Sequence, residues 1–258
     1  MSAIHPSAIV ASGARVGEGV VVGPYAVIGE AVVLGARVRV GAHAVVEGPT
    51  VLADDVQVFP FALVGAAPQD RSYSGEPTTL RVGEGTVIRE HVTLHRGTRK
   101  DRGHTEVGAR CLLMVGVHVA HDAVIGDDCT IANAVQISGH VVLEEGVNVG
   151  GAAAFAPFVR VRAYSFVAAG SRVEQDVPPF HVVQGDRARV RALNVVGLQR
   201  HGVPEAALSR AHRALYRAGR PLAEALASLE ADEDRHVRRL VAFPRERTTV
   251  PGLRPHED

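Results

Sequence analysis

Residues 118–122, His-Val-Ala-His-Asp, put two imidazoles and a carboxylate within five positions. An imidazole held by a neighbouring carboxylate takes a proton from a hydroxyl near neutral pH, a step worth typically ~10²–10⁴ in rate. On this reading His121 is the candidate base and Asp122 its orienting carboxylate. Eighteen positions further on, Gly139 and His140 correspond to His121 and Asp122. A glycine there offers an unobstructed backbone N–H to a developing oxyanion. The same residues admit a second chemistry, metal ligation by His118, His121 and His140. His-x-x-His is a weak metal signal without a third ligand at fixed spacing. A third possibility is that these histidines only face solvent, as most of the chain's 13 histidines must. Clustering of titratable groups favours a site.

The surrounding repeat is what brings residues eighteen apart together. Stepping by six from Ile4 meets Val10, Val16, Val22, Ile28, Leu34 and Val40, and the series continues aliphatic to Val64. A second series runs from Val107 through Leu113, Val119, Ile125, Ile131 and Ile137 to Val173. Three sides of six residues predict a triangular coil of about eighteen, with short parallel strands on the sides and coils about 4.8 Å apart. Each inward aliphatic contributes roughly 1.5–3 kcal/mol, partly offset by chain entropy. Ordinary sandwich strands would show period two and irregular turns. Cys111 and Cys129, also eighteen apart, are expected to stack as small apolar fillers.

The register breaks twice, predicting excursion loops at about 66–81 and 95–106. The interval from Leu94 to Val107 counts as two hexads plus one residue. Long excursions from a rigid scaffold are usually functional. After Val173, Pro-rich sequence ends the coils. Helices are expected from Pro204 and from Pro221, the latter running through to Phe243, with a poorly ordered tail from Pro244. The expected division is a β-helix domain over 1–186 and a helical domain with tail over 187–258, the helices covering one open end of the coil.

Composition narrows the function. The formal net charge is zero, which argues against nucleic-acid binding by bulk electrostatics. Two cysteines make neither a disulfide framework nor a zinc ribbon. No signal peptide is recognisable, and no apolar run of about 18 residues predicts a membrane span. The expected compartment is the cytoplasm.

Several stretches together resemble the UDP-N-acetylglucosamine O-acyltransferase family of lipid A synthesis. They are "PQDRSYSGEPT", "IREHVTLHRGT", "HVAHD", "SGHV", "DVPPF" and "NVVGLQRHG", in that order. The resemblance implies a left-handed parallel β-helix with a C-terminal α-helical domain, assembled as a homotrimer with site clefts between subunits. It implies transfer of a 3-hydroxyacyl group from acyl carrier protein to the sugar 3-hydroxyl, without a cofactor or metal. On it, His121 is the general base, Asp122 orients it and Gly139 supplies the oxyanion N–H. His118, His140, Asp70, Asn194 and Arg200 lie near the sugar nucleotide, and Ala169 stands where acyl-chain length is set. The family commonly has His-Gln-Phe where this chain has Ala156-Pro157-Phe158, Arg-Arg at Arg200-His201, and Lys where Ser72 stands, with Arg71 a possible substitute. These departures keep open a paralogue acting on another nucleotide sugar, such as a 3-amino sugar. Two rivals are a trimeric β-helix metalloenzyme like carbonic anhydrase and an inactive scaffold. Arg187, Arg189 and Arg191, with Arg160 and Arg162, form a candidate basic docking face for the acidic carrier.

Overall fold

The computed structural model describes residues 2–243. The inward aliphatics decide the architecture. Leu113, Val119, Ile125, Ile131, Ile137 and Leu143 are all 0–1% exposed and stack through the middle of a three-sided coil. Its faces are parallel sheets. The first face carries strands such as Leu112–Leu113 and Thr130–Ile131, the second His118–Val119 and Gln136–Ile137, the third Val124–Ile125 and Val142–Leu143. Strand pairing confirms the eighteen-residue lap, since His118 pairs with Gln136 and Gln136 with Ala154. The fold is mainly β, a left-handed parallel β-helix followed by a C-terminal α-helical unit.

A second inward register lies two residues before the first. Val117, Ala123, Cys129, Val135, Val141 and Val147 are 0% exposed, and Cys111 belongs to the same set. The two free cysteines are thus core fillers, as expected. Small side chains suit these positions because the coil narrows at its corners.

Both excursions leave between a second-face and a third-face strand, on consecutive laps. The first spans 67–78, between Leu63–Ala66 and Thr79–Val82; the second spans 96–103, between Thr93–His95 and His104–Val107. The second interval is therefore one hexad plus seven residues, not two hexads plus one. The loops are also shorter than expected. Thr79 and Leu80 pair with His104 and Thr105, so the returning chain joins the sheet before the aliphatic register resumes.

The helical unit comprises α1 (Val195–Arg200), α2 (Glu205–Tyr216), α3 (Leu222–Leu229) and α4 (Arg235–Ala242). The stretch after Pro221 is two helices rather than one. Asp234 ends the break by accepting from the His236 and Val237 amides as N-cap of α4. Pro204 and Pro221 are themselves N-caps, one place before the first turn. The tail from Pro244 lies outside the described residues. The unit also leans on the corner between third and first faces. There Arg239 donates to Glu144 and Glu145, both at 2.7 Å, and His201 packs on Tyr164.

His181 links the last lap to α2. Its Nδ1–H donates to the Pro179 carbonyl at 2.7 Å, so Nε2 must accept, and it does so from His212 Nδ1 at 3.0 Å. Tyr216 packs against both rings, and burial, with Arg217 adding repulsion, disfavours positive charge on His212. Burial pushes the His181 imidazole down to about 4, with His212 adding to the shift. A depressed histidine stabilises the fold above its unfolded value of about 6.5 and loses that contribution as pH falls toward the folded value. Stability to urea should therefore decline between pH 6.5 and 4, by on the order of 3 kcal/mol in all. His181→Leu should flatten the decline. An equal slope in the variant would show that the loss arises elsewhere.

Candidate active site

The chemistry-bearing residues gather at the corner between the second and third faces. Asp122, His140 and Phe158 occupy it on successive laps with φ of 59°, 64° and 67°. Asp and His tolerate this left-handed conformation better than most residues. Asp122 is fully buried and its carboxylate accepts three hydrogen bonds. One comes from His121 Nδ1 at 2.9 Å, one from the Thr98 amide at 2.9 Å and one from the Thr98 hydroxyl at 2.6 Å. The Asp122 amide in turn donates to Thr105 Oγ1 at 2.8 Å. Burial alone would raise the Asp122 carboxyl, but the hydrogen bonds from His121 and Thr98 and the nearby His140 outweigh it and hold it below its ordinary value.

An ionised carboxylate only accepts, so His121 carries its proton on Nδ1 and its Nε2 lone pair is free. Gly139 packs against this ring. A Cβ at 139 would sit 3.0 Å from His121 Nε2 and 2.8 Å from Cε1, so only glycine leaves the ring in place. Gly139 is buried, and its N–H donates to no group among the described residues. The imidazole thus packs against the backbone of a glycine whose amide is unspent; a base beside an amide donor is the combination that can deprotonate a nucleophile and stabilise the resulting oxyanion.

His140 joins this centre. It meets His121 edge-on at 5.2 Å and stacks on Phe158 at 4.4 Å. His118 does not join it. It stands on the flat second face, bonded to Thr93 Oγ1 at 2.8 Å and ring-to-ring with His95 at 5.2 Å, and burial holds it toward the neutral form. The metal set anticipated from sequence is altered accordingly. Among the described residues, His121, Asp122 and His140 each present one ligand atom within 4.8 Å of the others. The His121 Nδ1–Asp122 contact and the Thr98 bonds already occupy much of that donor set.

The two excursions meet beside this corner. Asp70 accepts from Lys100 Nζ at 2.8 Å and from the Ser72 amide and hydroxyl at 2.8 and 2.9 Å. The Lys100 ammonium and these bonds hold the Asp70 carboxyl well below the usual carboxylate range. The cation beside Asp70 is thus Lys100 from the second loop, not Arg71, which is exposed. Thr98, Lys100, Thr105 and Asp101 were not marked by the sequence pattern. The only signal was the long interval before Val107.

The remaining sequence candidates lie elsewhere on the chain. Asn194 caps α1, accepting from the Gly197 amide at 3.1 Å while donating to the Tyr164 carbonyl at 2.8 Å. Arg200 donates to Asn148 Oδ1 at 3.2 Å, and with Asn194 it lines a groove over the first face. That face is opposite the corner holding His121. Ala169 is exposed at the corner between first and second faces. Of the basic residues, Arg162 donates to Glu144 at 2.9 Å and Arg187 lies 3.6 Å from Glu174, whereas Arg189 and Arg191 are exposed. A β-bulge between Val182 and Val183 also breaks their strict alternation. His201, where the family has Arg, packs on Tyr164.

A hexad-built coil with a carboxylate-held imidazole beside a bare amide defines a hexapeptide-repeat transferase. Consistent with that class, the model of bacterial transferase hexapeptides matches residues 13–48 and 104–139. The model described as UDP N-acetylglucosamine O-acyltransferase, domain 2, matches residues 176–251. An acyl-[acyl-carrier-protein]--UDP-N-acetylglucosamine O-acyltransferase of Verminephrobacter eiseniae is 48% identical over 237 residues, 90% of each chain. Among solved structures, LpxA from Acinetobacter baumannii superposes with a TM-score of 0.90 at 33% identity, over 95% of this chain and 97% of that one. The UDP-N-acetylglucosamine acyltransferase of Campylobacter jejuni gives 0.90 at 35% identity, with the same coverage. The chain belongs to the UDP-N-acetylglucosamine O-acyltransferase family. No described helix is long and apolar enough to cross a membrane.

Proposed function

We infer that the chain transfers a 3-hydroxyacyl group from acyl carrier protein to the 3-hydroxyl of UDP-N-acetylglucosamine. The observation that carries the mechanism is the single free nitrogen of His121, fixed by Asp122 beside Gly139. His121 Nε2 takes the hydroxyl proton as the sugar oxygen attacks the thioester carbonyl. The Gly139 N–H receives the oxyanion of the tetrahedral intermediate. As that collapses, the C–S bond breaks and the imidazolium returns its proton to the departing thiolate. Asp70 and His140 face the acceptor, with Arg71, Ser72 and His118 around it. Ala169 limits the acyl chain, one methyl beyond a glycine. Arg189 and Arg191 are the basic residues best placed to meet the acidic carrier.

We place Asn194 and Arg200 at the site through a partner subunit. They lie on the face opposite His121, so one chain cannot bring them to one substrate. A homotrimer with clefts between subunits accounts for both groups. The β-helix, on this reading, ends near residue 186 and the helical domain follows, and the cytoplasm is the compartment in which free thiols such as Cys111 and Cys129 persist.

Mass spectrometry of products from a panel of acyl carriers, offered the 3-hydroxy and the 3-amino UDP-sugar, tests the reaction. Faster turnover of the amino sugar would replace the acceptor named here. Co-expression tests the shared site. His121→Ala and Arg200→Ala chains, each impaired alone, should regain activity as mixed oligomers, because one interface then holds both intact groups. No recovery would place the whole site within one chain.

A further inference from the structure

The second excursion does more than hold Asp122. Asp101, on that loop, accepts from His140 Nδ1 at 3.0 Å. Apart from that bond and the approach of Nε2 to Asp122, the His140 ring is held by packing. Phe158 lies parallel to it at 4.4 Å with an interplanar angle of 4°, and His121 stands edge-on to it. Stacking leaves one freedom, a half-turn about the Cβ–Cγ bond that exchanges ring nitrogens for carbons without changing the ring plane. A hydrogen bond to a carboxylate removes that freedom and fixes a proton on Nδ1, because Asp101 only accepts. His140 then keeps its proton on Nδ1 and turns Nε2 inward, 4.0 Å from Asp122 Oδ2. The loop carrying Asp101 is closed after it by Gly103, which donates to the Thr98 carbonyl at 3.1 Å and accepts from the Thr79 amide at 3.0 Å, and is anchored before it. Thr98 is bonded to Asp122 and Lys100 to Asp70, while Arg102 lies 3.9 Å from the Asp101 carboxylate. Asp101 and His140 line one cavity of about 430 Å³ beside the base, together with Arg102, Phe158 and Arg160.

We propose that Asp101 is a positioning residue for the acceptor substrate. It fixes the His140 ring so that Nε2, and not a ring carbon, hydrogen-bonds a polar group of the nucleotide sugar. The inference rests on the acceptor lying against His140, as in the function proposed above. It repeats, on a second histidine, the carboxylate–imidazole logic of Asp122 and His121, with the carboxylate supplied from 39 residues away along the chain.

The test is a double-mutant cycle in the full-length oligomer, with UDP-N-acetylglucosamine as the varied substrate. Asp101→Ala should raise its KM on the order of tenfold, the scale of one charge-assisted hydrogen bond. Its kcat and the KM for acyl carrier should change less than about twofold. Asp101→Asn, whose amide oxygen still accepts, should recover most of the loss. Asp101→Ala with His140→Ala should be no worse than His140→Ala alone. Nitrogen-15 spectra of the histidine side chains should show His140 protonated on Nδ1 in the parent and mixed between nitrogens in Asp101→Ala. Additive losses, or an unchanged tautomer, would overturn the proposal even if His140→Ala raises KM. If His140→Ala leaves KM unchanged, the acceptor placement itself is wrong and the proposal falls with it.

Discussion

Replacing His121 with alanine should lower kcat/KM at least a hundredfold, within the ~10²–10⁴ range for losing a general base. The fold should survive. His121 retains some exposure, its removal relieves no packing in the aliphatic core, and Asp122 keeps both Thr98 bonds and its amide contact to Thr105. Thermal melting should therefore shift by a few degrees at most for a loss of about 1 kcal/mol. Initial rates of ester formation and circular-dichroism melts on the same preparation make the comparison. A scaffold would not register the change, so parent-like turnover would end the base assignment. Metal analysis of those samples separates the metalloenzyme rival. Stoichiometric zinc in the parent, lost in His121→Ala, would move the chemistry from base to metal.

Asp122→Asn should cost nearly as much through a different route. The carboxylate now accepts from His121 and twice from Thr98. An asparagine oxygen can keep the Thr98 amide, which turns its NH₂ toward His121. Facing a donor, His121 must accept on Nδ1 and carry its proton on Nε2, where the lone pair for the hydroxyl is needed. The imidazole stays in place in the wrong tautomer. The expected loss is roughly two to four orders of magnitude in kcat, with little change in the KM for either substrate. Asparagine accepts the φ of 59° at this position, so the backbone is not the cause of any loss. A parent-like kcat would mean that the orientation of His121 does not depend on Asp122.

The sequence made the coil legible because one aliphatic in six is a strong, one-dimensional signal. It also predicted that His121, Asp122, Gly139 and His140 are neighbours, since positions eighteen apart adjoin wherever the lap is regular. It failed where the lap is interrupted. Thr98, Lys100 and Asp101 reach the site along loops whose path no periodicity describes, and the return strands Thr79–Val82 and His104–Val107 begin before the aliphatic register resumes. His118 was grouped with the site because it is close in sequence, yet a strand position and a corner position point in different directions. The helix expected through residue 230 breaks because Asp234 makes a better start than a continuation, a choice between two local preferences. The resemblance puts Asn194 and Arg200 near the sugar nucleotide, and in the chain they line one groove over the first face. Their face of the coil depends on where the helical unit folds back, which sequence spacing does not reveal.

Both excursions are spliced into the same corner on consecutive laps; the strands that follow them pair in register, and those that precede them slip by one residue between Val64 and Ala66. The winding therefore tolerates foreign cargo at one hinge point without renegotiating its interior. The structural burden within the inserts is uneven: Arg96 and Thr98 are buried and bonded to the coil, whereas Arg71, Ser72 and Arg99 are exposed. Variation along this plan is therefore expected at the exposed loop tips and not at Thr98, whose two bonds hold the Asp122 carboxylate.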